Sequence, residues 1–187
     1  MGNRRSIGRR APRRLLQAVC AGGLAALFAG PARAQDKSTF STGCVDGKAF
    51  EDGTVLMLGE FSAVALWMPP GAKPDGNNIT DVLIKSVKPA KHEDTFSVLE
   101  QMDAAHPKYE HWYLPWFGVD AALQGKGLGS QLMKLCLDIV DASRLPAYLE
   151  TPNPRTISFY ERHGFGTTGA AQAGACPPIT FMLRGAR

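Results

Sequence analysis

No CxxC pair occurs among the four cysteines, Cys20, Cys44, Cys136 and Cys176, and no histidine stands at metal-ligand spacing to them, so no metal is expected. A long uniform apolar run is also missing. The best one, residues 15–30, is too short and too rich in glycine and alanine for a stable membrane span. Acidic residues are absent from residues 1–34, which hold Arg4, Arg5, Arg9, Arg10, Arg13, Arg14 and Arg33. Taking those seven charges from the net +4 leaves −3 for the remainder (14 basic against 17 acidic side chains). The basic pI of about 9.0 therefore belongs to the N-terminal segment, and no nucleic-acid partner is expected. Without internal repeats or low-complexity tracts, 187 residues at 44% hydrophobic content suit one domain around one core.

The arginine-rich start, the apolar run and Ala32-Arg33-Ala34 have the layout of an export signal with an A-x-A cleavage site. The same stretch also reads as an irregular extension. Residues 1–35 are therefore set apart, 36–48 are read as a linker, and 49–187 as the folded domain. In that domain the apolar runs 54–58 and 63–68, separated by Gly59-Glu60, read as a hairpin that Pro69-Pro70-Gly71 stops. Residues 79–87 and 93–105 look helical, the second with Phe96, Leu99 and Met102 on one face and His106-Pro107 as its end. His92 and His106 are expected on solvated helix ends. An aromatic strand is expected over 112–119. A helix over 127–142 follows, with Leu128, Leu132, Leu135, Cys136 and Ile139 at helical spacing, and then a strand over 146–150. Asn153-Pro154 opens a further helix, because Asn caps free amides and Pro is pre-set for the first turn. Gly164 ends that helix in a left-handed conformation, and 179–183 is the last strand.

Chemistry concentrates where the aromatic strand hands over to the helix, in Gln124-Gly125-Lys126-Gly127-Leu128-Gly129-Ser130. Glycines let backbone amides turn toward a ligand, and a helix N-terminus adds partial positive charge, so a phosphate group fits there. The stretch lacks the GKS/GKT ending of a nucleotide P-loop and the spacing of a dinucleotide fingerprint. A tight structural turn is the alternative.

Val119, then Gln124-x-x-Gly127-x-Gly129, then Asn153, and finally Phe159-Tyr160-Glu161-Arg162-His163-Gly164-Phe165 resemble, in order and spacing, the signature of the GNAT N-acetyltransferase family. The resemblance covers residues 49–184 and is sharpest over 111–165. It implies an α/β (α+β) fold: a mixed, twisted, mostly antiparallel sheet flanked by helices. Two central parallel strands, ending near Val119 and Glu150, would splay apart to admit the pantetheine arm of acetyl-CoA. A complete member begins with a strand and two helices that build the acceptor side, so here the N-terminal part reads as incomplete.

The resemblance also implies roles. The amides of Gly125, Lys126, Gly127, Gly129 and Ser130 would hold the pyrophosphate, with Gln124 shaping the turn. Backbone groups of Phe117 and Val119 would pair with the pantetheine like another strand, and Asn153 would bond it while also capping its helix. Tyr160 would lie beside the CoA sulfur and protonate the leaving thiolate, as a phenol that is neutral at physiological pH. The base that removes a proton from the acceptor ammonium is left among Glu150, His111 and Glu110, with Tyr113 in the same region. His163 reads as structural, its charge suiting a helix C-terminus. Cys136 sits within a helix face, so no covalent intermediate is expected. Trp112, Trp116 and Tyr113 suggest an aromatic-lined pocket, or core.

The function implied is acetyl transfer from acetyl-CoA to a primary amine by direct attack in a ternary complex. The partner would be a small-molecule amine, with a homodimer left open. Two other readings stand beside it: a non-catalytic acyl-CoA-binding module, and an exported α/β protein whose glycine turn is structural. A cytoplasmic location follows from the first reading, export from a working signal.

Overall fold

The computed structural model describes residues 54–58, 62–72, 84–85 and 87–187. The signal-like segment, the linker, the Gly59-Glu60 turn and most of the helix expected over 79–87 lie outside those residues. Six strands form one sheet: β1 (Val55–Leu58), β2 (Ala63–Met68), β3 (Trp112–Val119), β4 (Ala147–Thr151), β5 (Gly166–Ala171) and β6 (Ile179–Arg184). Their order is β1-β2-β3-β4-β6-β5, and only β3 and β4 run parallel. The mixed, mostly antiparallel sheet is thus the one the family resemblance implies. Among the described residues no helix is long and apolar enough to cross a membrane.

Alternation along the strands gives the sheet two apolar faces. In β2, Val64 and Leu66 face one core while Ala63, Ala65 and Trp67 face the other. Helix α1 (His92–Ala105) covers the first face with Val98 and Met102. Helices α2 (Leu128–Ala142) and α3 (Pro154–Glu161) cover the second, through Leu132, Met133, Cys136, Leu137, Val140 and Tyr160. The buried stripe of α2 is rotated from the expected one, since Leu135 and Ile139 are 48% and 49% exposed. Apolar residues occupy two overlapping stripes of this helix, and the sheet selects the one that includes Met133 and Val140.

Strand β5 was not legible in the sequence. Its residues, GTTGAA, show no apolar alternation because it is a mostly exposed edge strand, and it is held by pairing with β6. Asn153 and Gly164 do bound α3 as expected: the Asn153 side chain accepts from the Arg155 N–H at 3.1 Å, and Gly164 has φ +89°.

Candidate active site

The two parallel strands pair only at Trp112, Tyr113 and Leu114 against Ala147, Tyr148 and Leu149. Beyond that rung β3 continues beside β2, and β4 beside β6, so a gap opens between Pro115–Val119 and Glu150–Thr151. The cause is local. Between Tyr113 and Trp116, β3 carries one residue more than β2 carries between Leu66 and Met68, a bulge at Leu114-Pro115. Proline has no N–H for a ladder, so it fits where pairing stops. The extra residue also reverses side-chain alternation: Trp112 and Leu114 face α2, as do Phe117 and Val119, whereas Tyr113 and Trp116 face α1. Trp112 and Trp116 therefore lie on opposite faces and do not line one pocket.

Asp120 donates its N–H to Ser62 of the β2 side at 2.9 Å. Alternation then turns the backbone groups of Gly118 and Trp116 toward β2, and those of Phe117 and Val119 toward the gap. The Val119 carbonyl is taken by the Gln124 side-chain amide at 3.1 Å, which ties the following loop back to the strand end. The Val119 N–H and both Phe117 groups face the opening.

At its upper end the gap meets the start of α2. Gly125 and Gly127 have φ +75° and +83°, a region that only glycine enters freely, and Gly127 is the N-cap. Among the described residues no backbone carbonyl accepts from the amides of Gly125 to Ser130; the first amide of this turn that does donate is Gln131, to Gly127 at 3.0 Å. The exposed loop thus presents a row of unpaired N–H groups with the helix dipole behind it. Gly129 lies in the first turn of α2 against the strand end, where a Cβ would make ordinary contacts, 3.4 Å from Val119 Cγ2 and 3.5 Å from Phe159 Cε2.

Tyr160 stands on the α2 side of the gap, its ring centroid 6.5 Å from that of Phe117 and 5.2 Å from that of Phe159. Its hydroxyl bonds to none of the described residues and is not among the sealed side-chain atoms left without a partner. The oxygen therefore reaches open space. Burial raises its pKa above the usual phenol value, which keeps it protonated through neutral pH. Cys136 lies under Trp67, where burial pushes its thiol up to about 11, outside the range of a working nucleophile.

On the α1 face the site holds more than the sequence announced. Glu150 follows the last paired rung, and its side chain is only 5% exposed. Tyr113 donates to Glu150 Oε2 at 2.9 Å and Tyr148 to Oε1 at 3.1 Å. His106, expected on a solvated helix end, instead packs its ring 4.8–4.9 Å from those of His111, Tyr113 and Tyr148, with Nδ1 3.8 Å from Glu150 Oε1. Its backbone N–H still closes α1 on Met102, but the extended residue that ends the helix sends its ring inward. His111 meets His106 Nε2 to Nε2 at 3.0 Å and the Tyr109 carbonyl through Nδ1 at 2.7 Å. Burial lowers the His111 pKa, partly offset by the Tyr109 bond. Glu110 is exposed and outside this cluster. His163 bonds the Phe159 carbonyl at 2.8 Å and His92 that of Val87 at 2.9 Å, both local structural ties.

A split parallel pair, a glycine loop of free amides at a helix mouth and a phenol beside the split thus lie together in an α/β fold. Residues 94–165 match the acetyltransferase (GNAT) family model. It is 30% identical over 130 residues to an uncharacterised N-acetyltransferase of Schizosaccharomyces pombe, a match covering 60% of this chain and 51% of the relative. The chain thus spans about half the length of that relative. In fold it is similar to a Corynebacterium glutamicum protein described as histone acetyltransferase HPA2 and related acetyltransferase (TM-score 0.61, 19% identity, covering 96% of this chain and 94% of that one). A mosquito arylalkylamine N-acetyltransferase-like protein gives a TM-score of 0.59 at 14% identity, covering 92% of each chain.

Proposed function

We propose that the chain transfers the acetyl group of acetyl-CoA to a primary amine, both substrates being bound together. The observation that carries this reading is the gap between β3 and β4, with the free amides of Gly125 to Ser130 at one end and the unpartnered Tyr160 hydroxyl at its side. The loop amides and helix dipole bind the CoA diphosphate. Phe117 and Val119 offer backbone groups that pair with the amides of the pantetheine arm as a strand would. Asn153 stands at the mouth of α3, where its side chain both caps the helix and meets the arm.

Direct attack needs an uncharged amine, a polarised carbonyl and a leaving thiolate. The Val119 N–H, turned into the gap, stabilises the oxyanion as the tetrahedral intermediate forms. Collapse breaks the C–S bond; Tyr160 gives its proton to the leaving thiolate and is reprotonated by the second proton that the attacking nitrogen sheds, leaving a neutral amide and free thiol. Glu150 supplies negative charge that draws the acceptor ammonium to the α1 side of the gap. This reading places the protein in the cytoplasm, where acetyl-CoA is made. Its test is thiol release from acetyl-CoA across a panel of primary amines: polyamines, arylalkylamines, aminoglycosides and peptides with free N-termini. Amine-dependent release with a matching acetylated product is expected, and release that no amine accelerates would refute it.

A further inference from the structure

Helix α1 crosses its face of the sheet from the β5–β6 connection to the two parallel strands. At the far end, Gln101 makes with Gln172 both of the hydrogen bonds that a neighbouring strand would make. Its Nε2 donates to the Gln172 carbonyl at 3.1 Å, and its Oε1 accepts from the Gln172 N–H at 3.1 Å. Asp94, two turns earlier on the same stripe of the helix, accepts from the Ala175 N–H through Oδ2 at 3.4 Å. At the near end the His106 ring lies 4.8 Å from that of Tyr113 and 4.9 Å from that of Tyr148, the two donors to Glu150. We propose that Gln101 is a positioning residue for the acceptor amine: its paired bonds fix α1 against the β5–β6 connection, and so fix where His106 holds the tyrosines around Glu150. The inference rests on the acetyltransferase reading above, in which Glu150 meets the acceptor.

Apolar packing alone does not set this position. Val98 and Met102, the buried residues of α1 in this core, stand one turn apart, and apolar contact has no direction, so a helix sliding along its axis keeps much of it. Hydrogen bonds do have direction. A displacement of about 1 Å breaks the reciprocal pair at Gln172.

The β5–β6 connection is shaped to receive the helix. Gly174 has φ +50°, and a Cβ there would lie on the Asp94 carboxylate, so any side chain at 174 pushes Asp94 off the Ala175 N–H. Both Gln101 bonds lie at the surface, where water replaces them when they are lost. They therefore add little to stability and much to placement.

The test has a structural and a kinetic arm on the full chain. Gln101→Ala removes both bonds, Gln101→Glu keeps the shape but sets an oxygen against the Gln172 carbonyl, and Gly174→Ala acts from the loop without altering α1. Amide hydrogen exchange at Gln172 should quicken in both Gln101 variants. NMR signals of the His106 ring should shift in all three. Unchanged exchange at Gln172, or faster exchange with the His106 signals unmoved, overturns the proposal. The kinetic arm uses whichever panel amine is acetylated. Gln101→Ala and Gln101→Glu should each raise KM for the amine about fivefold or more, with KM for acetyl-CoA and the thermal midpoint nearly unchanged. An unchanged KM for the amine, an equal rise in both KM values, or a loss of activity that follows a loss of stability overturns the positioning role while acetyl transfer stands. Shifted His106 signals in a chain that acetylates no amine refute the functional reading and, with it, the role of Gln101 in acceptor binding.

Discussion

Tyr160 carries the sharpest prediction at the scale of single residues. Its hydroxyl makes no bond within the described protein, so Tyr160→Phe removes an oxygen that folding does not use. Unfolding in urea should change by less than about 0.5 kcal/mol. Turnover should fall about 100-fold if the phenol meets the leaving sulfur; an equal loss of stability and rate would mark the ring as packing only. Two tyrosines also bear on stability at alkaline pH. Burial raises the Tyr148 and Tyr160 pKa values, with the Glu150 charge adding to Tyr148. Groups raised in the folded state contribute below their unfolded value, about 10, and that contribution is lost as pH rises above it. Replacing both by Phe should flatten the decline of stability between about pH 10 and 12 in an unfolding series.

The elements show why part of the candidate site is marked in the sequence. Gln124 to Ser130, Asn153-Pro154 and Gly164 act through local backbone geometry, and local geometry leaves a local imprint on residue type. The cluster on the α1 face has no such imprint. His106, His111, Tyr113, Tyr148 and Glu150 come from the end of α1, the segment after it, β3 and β4, and only the sheet register brings them together. Pro115 inside an aromatic strand was the one signal of the bulge, and β5 offered none because an exposed edge needs no apolar pattern. The glycines can be separated by experiment. Gly127→Ala forces a left-handed φ on a side chain and should destabilise the fold by about 1–2 kcal/mol while weakening acetyl-CoA binding. Gly129→Ala meets only ordinary contacts in the first turn of α2 and should be neutral or stabilising by up to about 1 kcal/mol. Thermal unfolding with and without acetyl-CoA distinguishes the pair.

For the molecule as a whole, one buried cation joins the layers. Arg184 of β6, 3% exposed, forms a two-pronged pair with Asp141 of α2, Nη2 to Oδ2 at 2.8 Å, and its Nε donates to the His163 carbonyl at 3.1 Å. The guanidinium thus locks the end of α2 and the end of α3 to the sheet, holding the helix mouth and Tyr160 in one frame. Its hydrogen bond holds the Asp141 carboxyl below the usual carboxylate range. A lowered pKa contributes stability above the unfolded value of about 4, and the contribution is lost as pH falls through the folded value. Asp141→Asn should therefore cost about 1–3 kcal/mol at pH 7, because it leaves Arg184 buried with half its partner. The gap from wild type should narrow in urea unfolding near pH 3, and a constant gap would show that the charge is not the cause.

The central claim is that the loop amides of α2 hold a diphosphate and so place a thioester in the split between β3 and β4. Calorimetric titration with acetyl-CoA and with S-acetylpantetheine, which lacks the diphosphate and the nucleoside beyond it, tests that contact. One site per chain is expected for acetyl-CoA, with S-acetylpantetheine binding at least about 30-fold more weakly, a difference of about 2 kcal/mol. Equal affinity for the two, or no binding of acetyl-CoA, would contradict the account.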